Sequence, residues 1–403
     1  MSRAPQTGGS DALARRESLA VLAVIIVLTT FGARASNNVI ATSLPLLVKD
    51  YFKFNSIEVG LVATAFMGST FVSSTFINAR LPPRTRRKFF ITGAVLYAVA
   101  FPFFSLSSPL TVWLLAAIAG IALGPIMPNI MTSAGSVGDV RQRERLLGLY
   151  TLALSTSLLI GPTIDFAVTK YFGLKNSYIY LEPLAALVAI MSPFLKFPDE
   201  GPRDGRRPKI STAKILTNSG FIAASLNNLT YSVPFAFINT YNGIYAEQKF
   251  LVTPAVAILL YSIFYVTSFL GRLMLTIRTP GNLVRYMILS SGLTIVGLVL
   301  AWLSPTLWLY VIALLVLGIP HGFTYTLSVI SISRTFEPSQ LNAANSYFFS
   351  IMMLIGAGLP AGLGLMVLYA GIKNTIILIV PIVLVIFLAT LVFASRASSK
   401  LIR

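Results

Sequence analysis

Twelve apolar runs, each close to or above 20 residues, follow one another along almost the whole chain. About 20 apolar residues are what an α-helix needs to cross the hydrocarbon core of a bilayer. Lipid offers the backbone no hydrogen-bond partners, so each run is predicted to be a helix. The predicted spans, numbered 1 to 12, are 19–48, 57–79, 89–107, 110–135, 146–170, 177–195, 218–245, 254–277, 283–303, 306–332, 341–369 and 373–394.

Side chains that enzymes and metal sites need are scarce. Hydrophobic residues make up 55% of the chain and charged residues only 11%, and the chain has one His, no Cys and 13 Asp or Glu. We therefore expect no cofactor, no metal and no enzymatic activity. The phosphate-binding pattern Gly-x4-Gly-Lys-Ser/Thr is absent, which argues against ATP as the energy source. The Lys and Arg residues behind the net charge of +18 lie between apolar spans rather than on a soluble face, so we expect no nucleic-acid partner.

The positive charges predict the orientation of the chain. With the N-terminus placed inside, inner segments hold 24 Lys and Arg, outer loops hold 6, and Arg34 alone lies within a span. Positive residues concentrate on the cytoplasmic side of membrane proteins. We therefore expect a multi-pass protein of the plasma membrane with both termini in the cytoplasm.

The two halves of the chain repeat. Gly120 and Gly124 in span 4 match Gly318 and Gly322 in span 10 at an offset of 198, and span 5 matches span 11 at 197. The predicted fold is an all-α membrane protein of twelve transmembrane helices, in two six-helix bundles related by a parallel pseudo-two-fold repeat. The expected divisions are a tail (1–17), the N-terminal bundle (18–196), a linker (197–216), the C-terminal bundle (217–395) and a tail (396–403).

A basic segment between spans 2 and 3 carries a family resemblance. Residues 79–88 read Ala-Arg-Leu-Pro-Pro-Arg-Thr-Arg-Arg-Lys, and a second copy is expected at Gly271 to Arg278. The first copy resembles the loop signature Gly-x-Leu-x-Asp-Arg-x-Gly-Arg-Arg of the major facilitator superfamily of transporters, and Gly161-Pro162 resembles the family's antiporter signature. The resemblance implies alternating access between two bundles, a small-molecule substrate and a monomer in the bilayer.

Two departures from the family pattern bear on the mechanism. Pro83 stands where the loop signature has Asp, and Ala116 stands where drug–proton antiporters carry an Arg. We expect Arg84 or Arg87 to pair with Asp139 or Glu144, replacing the lost Asp. The residues expected to act in gating are Arg80, Arg84, Arg87, Asp139, Glu144, Gly161, Pro162, Gly271 and Arg272.

Arg34 and Asp165 are the charges that most need an explanation. They lie roughly 24 and 28 Å into spans 1 and 5, counted at about 1.5 Å per residue from the starts of those spans. A charge at the bilayer centre costs roughly 2.5–3.5 kcal/mol. Two interpretations stay open: a structural ion pair, or a functional core in which Arg34 attracts an anion and Asp165 takes a proton.

Other polar residues in the spans are candidates for the substrate pathway. In the family that the chain resembles, spans 1, 4, 7 and 10 line the cavity, which implies a lining from Asn37, Asn38, Asn129, Asn227, Asn228, Tyr231, His321 and Tyr325. The alternative is hydrogen bonding between helices, which alone can keep Asn in a membrane. His321 either titrates or is a neutral ring bonded to a neighbouring helix.

The predicted function is secondary active transport of a small polar or anionic organic solute, coupled to protons. One alternative is proton-driven efflux of amphipathic compounds, favoured by Gly161-Pro162 and weakened by Ala116. A second alternative is a non-transporting membrane sensor or scaffold. That interpretation predicts large soluble appendages, and the tails of this chain are short.

Overall fold

The computed structural model describes residues 8–78, 81–135, 140–195, 197, 212–278, 280–336 and 338–402. Twelve candidate membrane spans occur in these ranges, each long and apolar enough to cross a bilayer. They agree with the predicted spans to within a few residues, apart from an earlier start at span 3, a later end at span 7 and a later start at span 11. Because twelve antiparallel spans return the chain to its starting side, we call that side the terminal side and the opposite side the far side.

The spans have the following bounds. Spans 1 to 6 are Gly8–Asp50, Ser56–Val72 with a π-helical end at Ser73–Ile77, Pro83–Ala100, Thr111–Leu123 with Ile126–Gly135, Val140–Phe172, and Ser177–Tyr180 with Glu182–Met191. Spans 7 to 12 are Ser219–Phe250, Pro254–Ile277, Leu283–Leu303, Leu307–Thr335, Pro338–Ala370 and Ile372–Arg396.

Local sequence explains where these helices begin and break. Asn55 caps span 2 through a reciprocal pair of hydrogen bonds with Glu58, the arrangement expected of a capping box. Span 4 is interrupted at Gly124 and Pro125, because a proline inside a helix removes a backbone hydrogen bond. Pro83 begins span 3, a position where the missing N–H is not needed.

The two six-helix bundles use the same internal contacts. In the N-terminal bundle spans 1–5, 1–6, 2–4, 3–4 and 3–6 pack together, and the C-terminal bundle repeats these contacts as 7–11, 7–12, 8–10, 9–10 and 9–12. The match extends to single residues: Gly120 packs on the carbonyl of Phe66, and Gly318 packs on the carbonyl of Phe264, both pairs being related by an offset of 198. Between bundles, span 2 packs on span 11 and span 5 on span 8.

Three segments predicted to lie outside the spans are partly helical. Arg84, Arg87 and Lys88 were expected in a loop, but they lie on the first turns of span 3 because Pro83 starts that helix. The linker 197–216 lies mostly outside the described residues, and its end, Thr212–Leu216, is a short helix whose Ile215 is buried. In the C-terminal tail, Ser398–Leu401 is helical, packs on spans 10 and 12, and buries Leu401.

Candidate functional site

Arg34 lies on a polar ridge of span 1. Arg34 and Asn37 are half-buried, Asn38 is buried, and their spacing of three and four residues places all of them on one helix face. Asn38 Oδ1 accepts a 3.4 Å hydrogen bond from Tyr265 Oη of span 8. Among the described residues the Arg34 guanidinium has no hydrogen bond and no ion pair. The ridge therefore presents the guanidinium of Arg34 and the amide of Asn37 to a ligand beside span 1.

His321 faces the same level of the protein from span 10. Its Nδ1 lies 2.7 Å from Ser268 Oγ of span 8, and its ring stacks on Phe235 of span 7 at a centroid distance of 4.4 Å. Phe264 and Tyr265 lie at 5.2 and 5.7 Å. The ring is thus held in place by two neighbouring helices of the C-terminal bundle, spans 7 and 8. The Ser268 contact is the bond to a neighbouring helix that one of the two interpretations of His321 requires.

Arg272 joins this cluster, although the charge count placed Arg34 alone within a span. The segment expected to be a second copy of the basic loop is helical up to Ile277, the end predicted for span 8, and Gly271 is buried. Arg272 is half-buried inside the span and interacts electrostatically with Arg34, Tyr265, His321 and Tyr325. The internal repeat of the sequence indicates where Arg272 lies. The offset of 198 pairs Arg272 with Ser74 inside span 2, whereas the loop match used an offset of 192.

Arg34, Arg272 and His321 lie at similar depth. Counting about 1.5 Å per residue from the far-side helix ends, Arg34 is roughly 24 Å, Arg272 roughly 27 Å and His321 roughly 21 Å deep. Tyr325, one turn beyond His321, is 42% exposed although its helix is central in the bundle. These side chains come from spans 1, 8 and 10 and face a shared space between the two bundles.

Asp165 does not pair with Arg34, so the expected ion pair is wrong. Asp165 is fully buried and accepts hydrogen bonds from Ser43 Oγ at 2.6 Å and Thr169 Oγ1 at 3.0 Å. Ser43 is nine residues beyond Arg34 on span 1, which is about 13.5 Å along the helix and on its opposite face. The two charges therefore occupy separate environments, and an anion at Arg34 cannot compete with Asp165 for the same guanidinium.

Several predicted lining residues belong to helix packing instead. Asn129 Nδ2 donates to Asn78 Oδ1 at 2.8 Å, and Asn227 Nδ2 donates to the Thr324 carbonyl at 3.0 Å and to Ser328 Oγ at 2.9 Å. Asn129 and Asn227 are at most 1% exposed. This is the interhelical bonding that the alternative interpretation predicted. Sequence could not separate the two, because both roles place Asn in the middle of a span.

Two further polar residues of span 7 are also occupied by hydrogen bonds, one of them to another helix and the other within span 7. Tyr231 Oη donates to the Leu317 carbonyl at 2.5 Å, and Asn228 Nδ2 donates to Ser232 Oγ at 3.1 Å. Tyr231 is 3% exposed and Asn228 is 6% exposed. Of the predicted lining, Asn37, His321 and Tyr325 retain accessible surface, and Asn38 contributes through its bond to Tyr265.

The predicted gate lies partly outside the described residues. Arg80, Asp139 and the side chain of Glu144 are not described, so their pairing stays a prediction. Arg84 is exposed, whereas Arg87 Nη2 donates to the Pro193 carbonyl at 2.9 Å, at the end of span 6. Gly161 packs against Ala35, the neighbour of Arg34, at an ordinary contact distance.

The far side of the protein is closed. Hydrogen bonds between the bundles include those of Tyr241 to the Ser56 carbonyl, of Tyr265 to Asn38, and of Thr163 with Ser262. All three lie within roughly 18 Å of the far-side helix ends. The cluster around Arg34 lies on the terminal side of this seal. A small molecule bound there could leave toward the far side only after these contacts break.

The described residues contain no group of three His, Asp or Glu side chains that could hold a metal ion. A pseudo-symmetric pair of bundles, closed at one side around a polar cluster at their interface, defines a membrane transporter rather than an enzyme. Residues 26–306 match the Major Facilitator Superfamily, and the chain belongs to that family. It is accordingly a multi-pass secondary transporter of the alternating-access type.

Known transporters resemble this chain at low sequence identity. Multidrug resistance protein 2 of Bacillus subtilis is 21% identical over 173 residues, which is 43% of this chain and 43% of that protein, so the match spans under half of this curated relative. A bacterial homologue of the human lysosomal transporter Spinster, solved in an inward-facing and occupied conformation, superposes with a TM-score of 0.71 at 13% identity, covering 94% of this chain and 97% of its own.

A transporter of the POT family, solved with a thioalcohol-conjugated peptide, superposes with a TM-score of 0.75 at 14% identity, covering 93% of this chain and 96% of its own. At these identities the similarity shows the shared fold.

Proposed function

We propose that this transporter carries a small organic anion, which binds at Arg34 between the two bundles. The observation that carries the proposal is the open guanidinium of Arg34, which has neither a hydrogen bond nor an ion pair among the described residues. A charge in mid-membrane is retained at a cost only when function needs it. A carboxylate or phosphate on the substrate would supply the missing partner.

The distribution of acidic residues supports an anionic substrate. Of the 13 Asp and Glu, Asp165 alone lies near the middle of a span, and both of its oxygens accept hydroxyl hydrogens. Four others, Asp50, Glu58, Glu182 and Glu247, lie at far-side helix ends. The remaining eight belong to terminal-side segments. Arg34 therefore has no acidic neighbour at its own depth in its own bundle.

The surroundings of Arg34 suggest how the substrate is held. Asn37 supplies an amide on the same helix face, and His321 and Tyr325 retain accessible surface on the other bundle. Hydrogen bonds to a charged group contribute about 1.5–3 kcal/mol each. Groups from both bundles can contact one substrate, so binding would favour states in which the bundles close around it.

We also propose that the terminal side is cytoplasmic, in the plasma membrane, and that the protein works as a monomer. The fourfold excess of Lys and Arg on that side supports the orientation. With this orientation the far-side seal makes the structure inward-facing. Proton coupling remains part of the proposal, but an anion bound at Arg34 cannot drive it by displacing Asp165, because Asp165 bonds to Ser43 instead.

Counterflow in liposomes tests the substrate class. Purified protein is reconstituted and supplied with radiolabelled carboxylates, organic phosphates, amino acids, sugars and cationic dyes. We expect exchange of an anion in the wild type, loss of exchange in Arg34→Gln, and partial recovery in Arg34→Lys. Arg285→Gln is the matched control, because Arg285 is exposed at the start of span 9. Normal anion exchange by Arg34→Gln would refute the assignment.

Efflux of amphipathic compounds is the second candidate, favoured by the partial match to a multidrug resistance protein. Such compounds are commonly cations, which an open guanidinium would repel. Under this alternative, Arg34→Gln should transport cationic dyes at least as well as the wild type. The same liposome panel therefore separates the two functions.

A further inference from the structure

The far ends of spans 1 and 7 each carry a carboxyl group, and the two meet across the bundle interface. Asp50 and Glu247 lie within hydrogen-bonding distance of one another. One helical turn deeper on each span, Leu46 and Gly243 are packed so closely that a Cβ on Gly243 would lie 3.0 Å from Leu46 Cδ2. Residues four apart share a helix face, so the carboxyl pair and this contact belong to one interface.

The chemistry of this contact requires a proton. An ionised carboxylate accepts hydrogen bonds but cannot donate them, so two carboxylates bond to each other only when one is protonated. Glu247 Oε1 is buried, and no donor among the described residues reaches it. Two ionised carboxylates at this distance would repel each other instead, as in sites where two acids share one proton.

Neighbouring charges indicate which group holds the proton. Lys53 and Lys49 both act electrostatically on Asp50, whereas Glu247 faces Asp50 and the phenol of Tyr261. Lys49 Nζ also donates to the Phe54 carbonyl at 3.2 Å, which fixes its position beside the turn after span 1. Asp50 is thus the better-stabilised anion, and the shared proton belongs on Glu247.

We propose that one proton shared by Asp50 and Glu247 latches the far side closed, and that its release to the far-side solution leaves two carboxylates that push spans 1 and 7 apart. The latch binds one proton each time the far side closes and releases one each time it opens. Protonation therefore favours the closed far side at low pH, and this preference is lost as the pH rises. The latch exchanges this proton with the far-side solution only, so it makes far-side opening depend on the pH of that solution. Its effect on transport rests on the proposed transport function, whereas the latch itself does not.

Distance measurements test the latch without any substrate. The chain has no cysteine, so spin labels can be placed on Tyr171→Cys and Leu251→Cys at the far side, where the native side chains are 75% and 88% exposed. Thr85→Cys and Thr217→Cys, both exposed, report on the terminal side. Pulsed EPR in nanodiscs between about pH 5 and about pH 9 spans the range in which a shared carboxyl proton is lost.

In the wild type we expect the short far-side distance at low pH to be replaced by a longer one as the pH rises, while the terminal-side distance shortens. Glu247→Gln keeps a donor toward Asp50 at every pH, so it should remain closed throughout. Asp50→Asn supplies an amide donor to Glu247 and should also lose the pH response. Glu182→Gln is the matched control, a far-side carboxyl with no acidic neighbour that should respond like the wild type.

Two results would overturn the proposal: a wild type whose distances ignore pH, or a Glu247→Gln variant that opens with pH as the wild type does. Anion counterflow is measured separately. A working latch in a protein that fails to exchange anions would refute the proposed substrate and leave the latch standing.

Discussion

The phenol of Tyr241 in span 7 donates a 2.8 Å hydrogen bond to the backbone carbonyl of Ser56, at the start of span 2. The same oxygen lies 3.2 Å from the Pro360 carbonyl of span 11. One side chain of the C-terminal bundle therefore bonds to the N-terminal bundle at the far side. Because opening must break this bond, Tyr241 contributes directly to the conformational equilibrium.

Tyr241→Phe should shift the protein toward the far-open state. A hydrogen bond of this kind contributes about 0.5–1.5 kcal/mol net, which corresponds to roughly a two- to tenfold change in the ratio of closed to open molecules. The far-side label pair, Tyr171→Cys with Leu251→Cys, measures that ratio. Tyr286→Phe is a suitable control, since Tyr286 packs on Phe323 within the C-terminal bundle. An unchanged ratio in Tyr241→Phe would remove this bond from the seal.

Gly60→Ala should prevent full closure of the far side. A Cβ at Gly60 would collide with the Pro360 carbonyl and lie 2.6 Å from Tyr241 Oη, both on the opposite bundle. We expect the variant to fold, because the clash arises only between the bundles, and to occupy the far-open state. Gly68→Ala on the same span is the matched control, because a Cβ there meets nothing within 4 Å. Equal far-side distances in the two variants would contradict the prediction.

Asp165→Asn should leave anion exchange and its pH dependence close to wild type. Asp165 contacts Ser43 and Thr169 rather than Arg34, so its charge is not part of the substrate site. Asp165→Ala should instead destabilise the protein by about 1–3 kcal/mol, because two buried hydroxyls lose their acceptor. Thermal unfolding measures the second effect and counterflow the first. Loss of pH-driven accumulation in Asp165→Asn would return Asp165 to the proton pathway.

Cysteine labelling should place Thr217 and Leu251 on opposite sides of the membrane. In intact cells an impermeant maleimide should modify Leu251→Cys and spare Thr217→Cys until the membrane is permeabilised. Both native side chains are exposed, so access through the protein does not limit the reaction. The reverse pattern would invert the proposed orientation, and with it the description of the structure as inward-facing.

Much of the fold could be predicted from the sequence because the bilayer imposes it. The number of spans and most of their ends follow from hydropathy, since lipid admits only helices of sufficient apolar length. The repeat of the two halves could also be recognised in the sequence from matching glycines such as Gly120 and Gly318. Both positions require glycine, because the carbonyl of a neighbouring helix occupies the space of a Cβ in each half. Arg34 could be recognised as a candidate site residue from the sequence, because a cation within an apolar run is costly in a membrane.

Only the tertiary structure decided which polar groups face the interface between the bundles. Asn37 and Asn227 look alike in sequence, yet Asn37 retains accessible surface and Asn227 bonds within the C-terminal bundle. Which of the two side chains faces the interface depends on the rotation of each helix about its own axis. The sequence specifies that rotation only weakly, because both helices are apolar on most of their faces. The position of Arg272 inside span 8, the hydroxyl partners of Asp165 and the meeting of Asp50 with Glu247 all join residues far apart in the chain. Such contacts follow from how two bundles pack against each other, which hydropathy along one span does not contain.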